Sequence, residues 1–432
     1  MSPEMIGLIG VIVLLILLFS RFWIGIVLAL IGFVGYAYLV DYDKAAMMIG
    51  IEPFSHAATY TLAAMPLFIL MGNIVAVSGI AEDMYRVARN WIGHVRGGLA
   101  MATAVACGGF AAVSGCSMAG TATMGKIAYP EMLRYKYSTP LAAAVISAGG
   151  TVGILIPPSI GFIIYGLFTE QSIGKLFMAG IIPGISEILF YVITIYVICR
   201  IKPESGPPTP KVEFKEKVAS LRHIWPVVAL FLLVIGGIYG GLFTPTEAGA
   251  IGSLGAMIIA GFMRRIKFKD LVVAFRDTAQ TASMIMIMIA GSMIFNRFIT
   301  VSKLPVAMGE YVANLEVSNL VIIIGIVILY LIIGCFVEIT AAIVLTLPVI
   351  FPIVMSLGFN PFWFGVIMVR LMEVGAITPP LGLNLFILSK TVDVPVSTIY
   401  RGIFPFVVAD ILNITMLISF PQISLFLVNL AS

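Results

Sequence analysis

One pattern occurs twice in this chain and limits what the chain can fold into. Gly153-Ile-Leu-Ile-Pro157-Pro158 lies inside one long apolar stretch, and Gly375-Ala-Ile-Thr-Pro379-Pro380 lies inside another, 222 residues further on. Paired prolines beside a glycine interrupt a helix, because proline lacks a backbone donor. A helix that is broken within lipid must have its free backbone groups covered by protein or facing a cavity. Matching breaks in two halves of a chain are typical of the binding site of a secondary transporter.

The composition places the chain in a membrane. Its 432 residues are 60% hydrophobic and 11% charged, with a mean hydropathy of +1.10, which indicates a polytopic membrane protein. The net charge of +4 lies in short loops and does not indicate nucleic-acid binding. Four cysteines without a Cys-x-x-Cys motif and three scattered histidines predict neither disulfides nor a metal cluster. The first apolar run, residues 5–19, lacks a basic flank and predicts a membrane helix rather than a signal peptide.

Apolar stretches predict ten helical spans and two longer segments. The spans are residues 4–19, 22–40, 60–78, 139–168, 177–199, 224–240, 247–263, 276–300, 361–390 and 402–429, and the longer segments are 97–125 and 319–357. A basic, proline-rich linker at 200–222 divides the chain into two parts of similar size. We interpret residues 1–199 and 223–432 as two structural repeats, joined by a cytoplasmic linker.

The distribution of positive charge orients the chain, because basic loops stay in the cytoplasm. Basic clusters lie at residues 86–96, 126–136, 200–222 and 264–276. Placing these in the cytoplasm puts the N-terminus outside, together with residues 41–43, 169–175, 241–246 and 301–318.

The segment 97–125 has basic residues on both flanks, which predicts a re-entrant hairpin that enters and leaves from the cytoplasm. Its tip is predicted at residues 113–117, and the offset of 222 places a second hairpin in 319–357, with its tip at 337–340. The alternative is that 319–336 and 341–357 each cross the membrane alone. The second hairpin has few basic flanking residues and would enter from outside, as inverted-topology repeats require. Each repeat then holds one hairpin and one broken helix, at 139–168 and 361–390.

The tips and breaks carry groups that suit a cation and an organic anion. Hydroxyl and carbonyl oxygens suit the hard Na⁺ ion, and the N-termini of half-helices attract carboxylates. We predict one sodium site in each half, with the substrate between them. The alternative for each small residue is close helix packing. The predicted sodium ligands are Ser114, Gly115, Ser117, Thr151, Gly153, Glu338, Thr340, Gly375, Thr378 and Gly382, and the predicted substrate contacts are Thr121, Pro157, Pro158, Arg370, Pro379, Pro380 and Asn384.

Ionisable residues inside the apolar segments are functional candidates by default. Arg370 either pairs with Glu373, one helical turn away, or binds a substrate carboxylate. Glu338 at the second tip is either a cation ligand or reaches the outer surface. Glu187, Asp410 and Arg297 lie in other spans and are interpreted as scaffold pairs.

No enzyme motif accounts for these features. The chain has no Gly-x-Gly-Asp, no His-Glu-x-x-His and no Walker A sequence, so neither hydrolysis nor direct use of ATP is predicted. A channel remains an alternative, but paired hairpins and breaks favour alternating access.

At these residues the chain resembles the large membrane subunit of TRAP (tripartite ATP-independent periplasmic) transporters, the DctM type. The resemblance covers nearly the full length. It is carried by Met65-Pro-Leu-Phe-Ile-Leu-Met-Gly72, Gly97-Gly-Leu99, residues 111–123, Ala148-Gly-Gly-Thr-Val-Gly-Ile-Leu-Ile-Pro-Pro-Ser159, Thr169-Glu-Gln-Ser-Ile-Gly174, Thr244-Pro-Thr-Glu-Ala248 and residues 364–386 with Ile377-Thr-Pro-Pro380 and Gly382-Leu-Asn384.

The resemblance implies an elevator-type transporter of the ion-transporter-superfamily kind, in the bacterial inner membrane. It implies that Na⁺ drives import of an organic acid, without an organic cofactor. A periplasmic binding protein would deliver the substrate, and a small four-helix membrane subunit would be a separate chain. The rival hypotheses are a stand-alone ion-coupled anion transporter, which needs no binding protein, and a membrane scaffold that transports nothing. The sequence does not identify the organic acid.

Overall fold

The computed structural model describes residues 1–19, 22–57, 59–313 and 318–431. All regular elements within these ranges are helical. The helices are α1 (Pro3–Phe19), α2 (Ile24–Leu39), α3 (Tyr42–Ala57), α4 (Ala64–Val77), α5 (Ile80–Ile92), α6 (Gly98–Ser114), α7 (Ser117–Arg134), α8 (Thr139–Thr151), α9 (Ile160–Thr169), α10 (Ile173–Ile201), α11 (Phe214–Ser220), α12 (Trp225–Phe231), α13 (Gly237–Tyr239), α14 (Pro245–Phe262), α15 (Phe268–Val301), α16 (Leu304–Ala313), α17 (Asn319–Phe336), α18 (Ile339–Ser356), α19 (Pro361–Ile377), α20 (Leu383–Val392), α21 (Val396–Ser419) and α22 (Gln422–Leu430).

Six helical segments are long and apolar enough to cross a membrane, and a bent pair at 214–223 and 225–239 would add a seventh. Further apolar helices, such as α1, α2 and α6, are shorter. The six are Tyr60–Val77, Ile173–Ile201, Phe268–Val301, Asn319–Phe336, Ile339–Ser356 and Val396–Ser419. The prediction of an all-helical, multi-pass membrane protein is therefore confirmed.

Four helices lie in regions where the sequence predicts none. They are α3, α5, α11 and α16; α11 lies within the predicted linker, and α16 lies within a predicted outer loop. The helix α5 was not predicted because its apolar residues alternate with charged ones. Ile80, Met84 and Val87 are buried, whereas Glu82 and Arg86 are exposed. The predicted span 402–429 is also wrong as one helix, because α21 ends at Ser419 and α22 begins at Gln422.

The helices pack in two groups. In one group, α2 packs along α15, and α4 packs against α14 and α15. In the other group, α6, α7 and α8 pack together, α17 packs on α19, and α21 packs on α8. In each predicted hairpin, the second helix packs against a helix from the other repeat. The helix α7 packs on α20, and α18 packs on α9.

Small residues let α2 and α15 approach closely. A Cβ atom built on Gly291 would lie 2.0 Å from the carbonyl oxygen of Gly25, and one built on Gly32 would lie 2.6 Å from the backbone nitrogen of Phe295. Backbone contact of this kind is a common way for membrane helices to associate. The helices α2 and α15 therefore form one closely packed pair, which we call the wall.

The linker at 200–222 is fastened to the base of the first hairpin. The Gly97 N–H donates to the Gly206 carbonyl at 2.8 Å, and the Ser138 N–H donates to the Ser205 carbonyl at 3.0 Å. The linker therefore touches the chain both before α6 and after α7. The first half of the linker therefore packs against the base of the hairpin formed by α6 and α7.

A buried group of charges joins the two broken helices. Arg370 on α19 donates to Glu187 Oε1 at 2.8 Å and to Asp410 Oδ1 at 2.5 Å, and all three side chains are fully buried. Its Nε also donates to Asn413 Oδ1 at 3.4 Å. Thr151, at the end of α8, donates its hydroxyl to the same Glu187 oxygen at 2.8 Å. The group therefore links α8, α10, α19 and α21.

Removing the arginine leaves two buried carboxylates without a counter-charge. We expect Arg370→Gln to lower the free energy of unfolding, measured by denaturant titration in detergent, by about 3–5 kcal/mol. Combining Arg370→Gln with Glu187→Gln and Asp410→Asn should restore most of the loss, because no charge then stays unpaired.

Arg297→Gln is the matched control. Arg297 pairs with Glu52 at 2.7 Å but its side chain is 59% exposed, so its loss should cost less than about 1 kcal/mol. An Arg370→Gln protein that unfolds like the control would contradict the role given to the buried charges.

Candidate functional site

The first predicted tip is a break between α6 and α7. The helix α6 ends at Ser114, Gly115 has a φ of 61°, and Cys116 is extended before α7 begins at Ser117. A left-handed residue after a helix favours glycine. A Cβ at Gly115 would also lie 2.4 Å from the Pro158 carbonyl oxygen. Gly115 therefore permits both the turn and the contact with the first break.

The second predicted tip is built differently. Val337 and Glu338 are extended, and α18 begins at Ile339. Glu338 caps that helix, because its Oε2 accepts from the Ala341 N–H at 3.1 Å. Its Oε1 accepts from the Thr340 hydroxyl at 2.9 Å. The two side chains predicted as cation ligands at this tip are bonded to each other.

The first break separates α8 from α9. A short 3₁₀ turn, Val152–Ile154, follows α8, and the Pro157–Pro158 peptide is cis. Ser159 then caps α9 by accepting from the Phe162 N–H at 3.2 Å. The N–H of Ile160, the first residue of α9, donates to the Gly115 carbonyl at 3.3 Å. This bond fastens the restarted helix to the first tip.

The second break separates α19 from α20. Thr378 donates its hydroxyl to the Val374 carbonyl at 2.5 Å, and the Pro379–Pro380 peptide is cis. Gly382 has a φ of 69°, and its N–H donates to the Cys335 carbonyl at 3.4 Å. Both breaks thus bond to the end of the helix that precedes a tip. They differ in exposure, since Pro157 and Pro158 are buried whereas Pro380 is exposed.

A cavity of about 480 Å³ lies between the two tips. Residues 115–118 and 338–341 form one side, and residues 22–25 with the part of α15 between Thr281 and Met288 form the other. Ile154 and Ile160, which flank the first break, also line it. Its size is within the range of small-molecule sites. Both halves of the chain and both helix groups contribute to its lining.

Four of the predicted sodium ligands line this cavity, namely Gly115, Ser117, Glu338 and Thr340. Other predicted residues lie outside its lining. Ser114, Thr121 and Asn384 are buried, and their side-chain polar atoms have no hydrogen-bond partner among the described residues. Gly153 and Gly375 contact the hairpins by backbone: Cβ atoms built there would lie 3.3 Å from the Cys116 carbonyl oxygen and 2.4 Å from the Gly334 carbonyl carbon.

Two predictions about side chains need correction. Arg370 was expected either to pair with Glu373 or to bind a substrate carboxylate; the first alternative is wrong, because Arg370 bonds to Glu187 and Asp410 instead. Its fully buried guanidinium does not line the cavity either, so the structure brings it to no substrate there. Thr151 shares that buried group and is engaged with Glu187. Of the predicted scaffold pairs, Arg297 has Glu52 as its partner.

The part of the cavity lining that comes from α2 and α15 was not predicted from the sequence. Trp23, Thr281 and Met288 line the cavity, although nothing in their local sequence marks them as part of a site. A polar residue such as Thr281 in an apolar helix is a weak signal. The proximity of this wall to the tips depends on tertiary packing, which the hydrophobic pattern does not specify.

Within the part of the chain that the structure describes, no three His, Cys, Asp or Glu side chains come together as a metal site. The side-chain oxygens that line the cavity at the tips are the hydroxyls of Ser117 and Thr340 and the carboxylate of Glu338. Oxygen donors of this kind suit hard cations.

Comparison with known proteins gives a consistent result. The family model for the tripartite ATP-independent periplasmic transporter, DctM component, matches residues 11–423. The chain is 37% identical to the C4-dicarboxylate TRAP transporter large permease protein DctM of Pseudomonas aeruginosa, over 88% of this chain and 89% of that protein. It is 30% identical to the sialic acid TRAP transporter large permease protein SiaM of Vibrio cholerae, over 90% of each.

Among solved structures, the fold is similar to that of the YdaH transporter of Alcanivorax borkumensis. The TM-score is 0.62 at 16% identity, over 89% of this chain and 90% of that one. At that identity the likeness concerns the fold alone. The family model matches nearly the whole chain, and relatives above 30% identity align with most of it. This chain therefore belongs to the DctM family of TRAP transporter large membrane subunits.

Proposed function

We propose that this chain is the large transmembrane subunit of a sodium-coupled secondary transporter that imports an organic acid. A periplasmic binding protein supplies the substrate, and a small membrane subunit, a separate chain, completes the complex in the bacterial inner membrane. The N-terminus lies on the periplasmic side. The observation that carries the proposal is the cavity enclosed by both tips, in a chain of the DctM family.

The chemistry of the cavity supports an anionic substrate. The N-terminus of α7 lies at the cavity wall and has no side-chain cap. Backbone N–H groups and the helix dipole attract carboxylates at such a position. The names of the two relatives, which refer to C4-dicarboxylates and sialic acid, are both names of carboxylates. We therefore propose a carboxylate as the substrate class.

The arrangement of the two helix groups supports an elevator mechanism. One side of the cavity comes from α2 and α15, and the other comes from the tips. A substrate held at the tips would move when that group slides along the wall, and breaks bonded to the tips would move with it. Sodium bound at the tips and breaks would favour the loaded state, because a ligand shifts an equilibrium by its difference in affinity for the two states.

Reconstitution tests the proposed coupling and the need for partners. In proteoliposomes with both membrane subunits, we expect uptake of a radiolabelled carboxylate from a panel that includes succinate and sialic acid. Uptake should require an inward Na⁺ gradient and the added binding protein, and K⁺ should not replace Na⁺. Strong uptake without the binding protein would favour a stand-alone transporter, whereas uptake unaffected by Na⁺ would contradict sodium coupling.

A bulky residue in the cavity tests the location of the substrate. Thr281 is exposed and lines the cavity, so Thr281→Phe should narrow the cavity without disturbing the core. We expect uptake to fall at least about tenfold, which corresponds to about 1.4 kcal/mol.

Ser283→Phe is the control on the same helix, because Ser283 is exposed but does not line the cavity. Both variants should reach the membrane in equal amounts, as measured by quantitative immunoblotting. Equal uptake by the two variants would place the substrate elsewhere.

A further inference from the structure

The linker helix α11 presents an exposed apolar stripe. Its members follow one another at intervals of four, three and four residues, and all of them are exposed: Phe214, Val218, Leu221 and Trp225. This spacing places them on one face of α11 and of the 3₁₀ turn that follows it, Leu221–His223. Phe214 is 74% exposed. A contiguous apolar stripe of this kind marks a surface that contacts another apolar body.

The stripe continues onto the helical segment that follows. Residues 214–223 and 225–239 form a bent pair, with an angle of 46° between them, and together they are apolar enough for a membrane span. Beyond the bend, Val228 and Leu232 are also exposed. The lipid that surrounds the span therefore also borders the stripe of α11. Three of the seven residues of α11 are charged, which suits the membrane surface rather than the hydrocarbon core.

The charged side chains of α11 are sorted around the stripe. Lys215 and Arg222 are exposed and lie seven residues apart, so both lie along one edge of the stripe. Glu216 lies on the opposite face. Among the described residues, no ion pair engages Lys215 or Arg222. Basic residues beside an apolar face are typical of helices that lie on anionic membranes.

Another side of α11 is fastened to the protein. The Trp91 Nε1–H donates to the Lys217 carbonyl at 3.1 Å, and Lys217 Nζ donates to the Trp91 carbonyl at 3.4 Å. Ser220 is buried, and α11 packs on α5. These contacts leave the stripe and its basic edge on the outer surface of the molecule.

We propose that α11 binds an anionic phospholipid, with the stripe among the acyl chains and with Lys215 and Arg222 at the headgroup phosphate. The lipid belongs to the cytoplasmic leaflet in the orientation proposed above. A guanidinium binds phosphate oxygens bidentately, and the ammonium adds a second positive charge. Trp225 lies three residues after Arg222, at the bend, where an aromatic ring suits the level between headgroups and acyl chains.

Quenching of tryptophan fluorescence by brominated lipid tests the proposal on the full-length chain in vesicles. Two samples hold the same fractions of phosphatidylglycerol and phosphatidylcholine, and an equal amount of either one or the other is brominated. Subtracting the signal of Trp225→Phe isolates Trp225. We expect its quenching to be at least about twofold stronger with brominated phosphatidylglycerol, because two basic residues concentrate anionic lipid beside it. About 1 M KCl should remove this preference, since salt screens exposed charges.

Lys215→Gln combined with Arg222→Gln should abolish the preference. Lys44→Gln combined with Lys303→Gln is the matched control, because it removes the same charge from exposed lysines outside the linker. Exchanging the two residues, Lys215→Arg with Arg222→Lys, keeps the charge and should keep the preference.

Equal quenching of the wild type by the two lipids would overturn the proposal, and so would a preference that the double glutamine variant retains. The same measurement with the small membrane subunit present excludes a protein partner. If that subunit abolished the quenching of Trp225 by lipid, the stripe would be a subunit interface and not a lipid site.

Discussion

The constraint on which this structure depends is that a helix broken within a membrane protein must find partners for its free backbone groups. Each Pro-Pro break meets this need in the same way. The N–H of Ile160 bonds to the Gly115 carbonyl, and the N–H of Gly382 bonds to the Cys335 carbonyl. The breaks are therefore tied to the ends of α6 and α17, the helices that lead into the two tips.

The buried charges around Arg370 also connect the two breaks to each other. Thr151 at the first break and Arg370 ahead of the second both bond to Glu187 on α10. The two breaks are therefore linked through one side chain of α10. Burying Arg370, Glu187 and Asp410 costs desolvation. The two ion pairs offset this cost in part, because one oxygen of each carboxylate has no hydrogen-bond partner among the described residues.

The breaks were predictable from the sequence because paired prolines determine the backbone within a few residues. The tips were predicted less directly, from the basic flanks of residues 97–125 and from the offset of 222, and the capping role of Glu338 was not predicted. The partners of Arg370 were not predictable in this way, because Glu187 and Asp410 are distant in sequence and several pairings satisfied the charges equally well. The same applies to Thr281, which faces the tips only because Gly25, Gly32 and Gly291 let α2 pack tightly on α15.

We propose that the organic acid and Na⁺ bind at the first tip. Cys116 offers a native probe, because it lines the cavity and is partly exposed, whereas Cys107, Cys199 and Cys335 are buried. The most direct measurement is the rate at which a small maleimide labels Cys116, with Cys116→Ser as the blank. We expect slower labelling when Na⁺ and a transported carboxylate are both present than in choline buffer. A labelling rate that neither Na⁺ nor the carboxylate changes would contradict it.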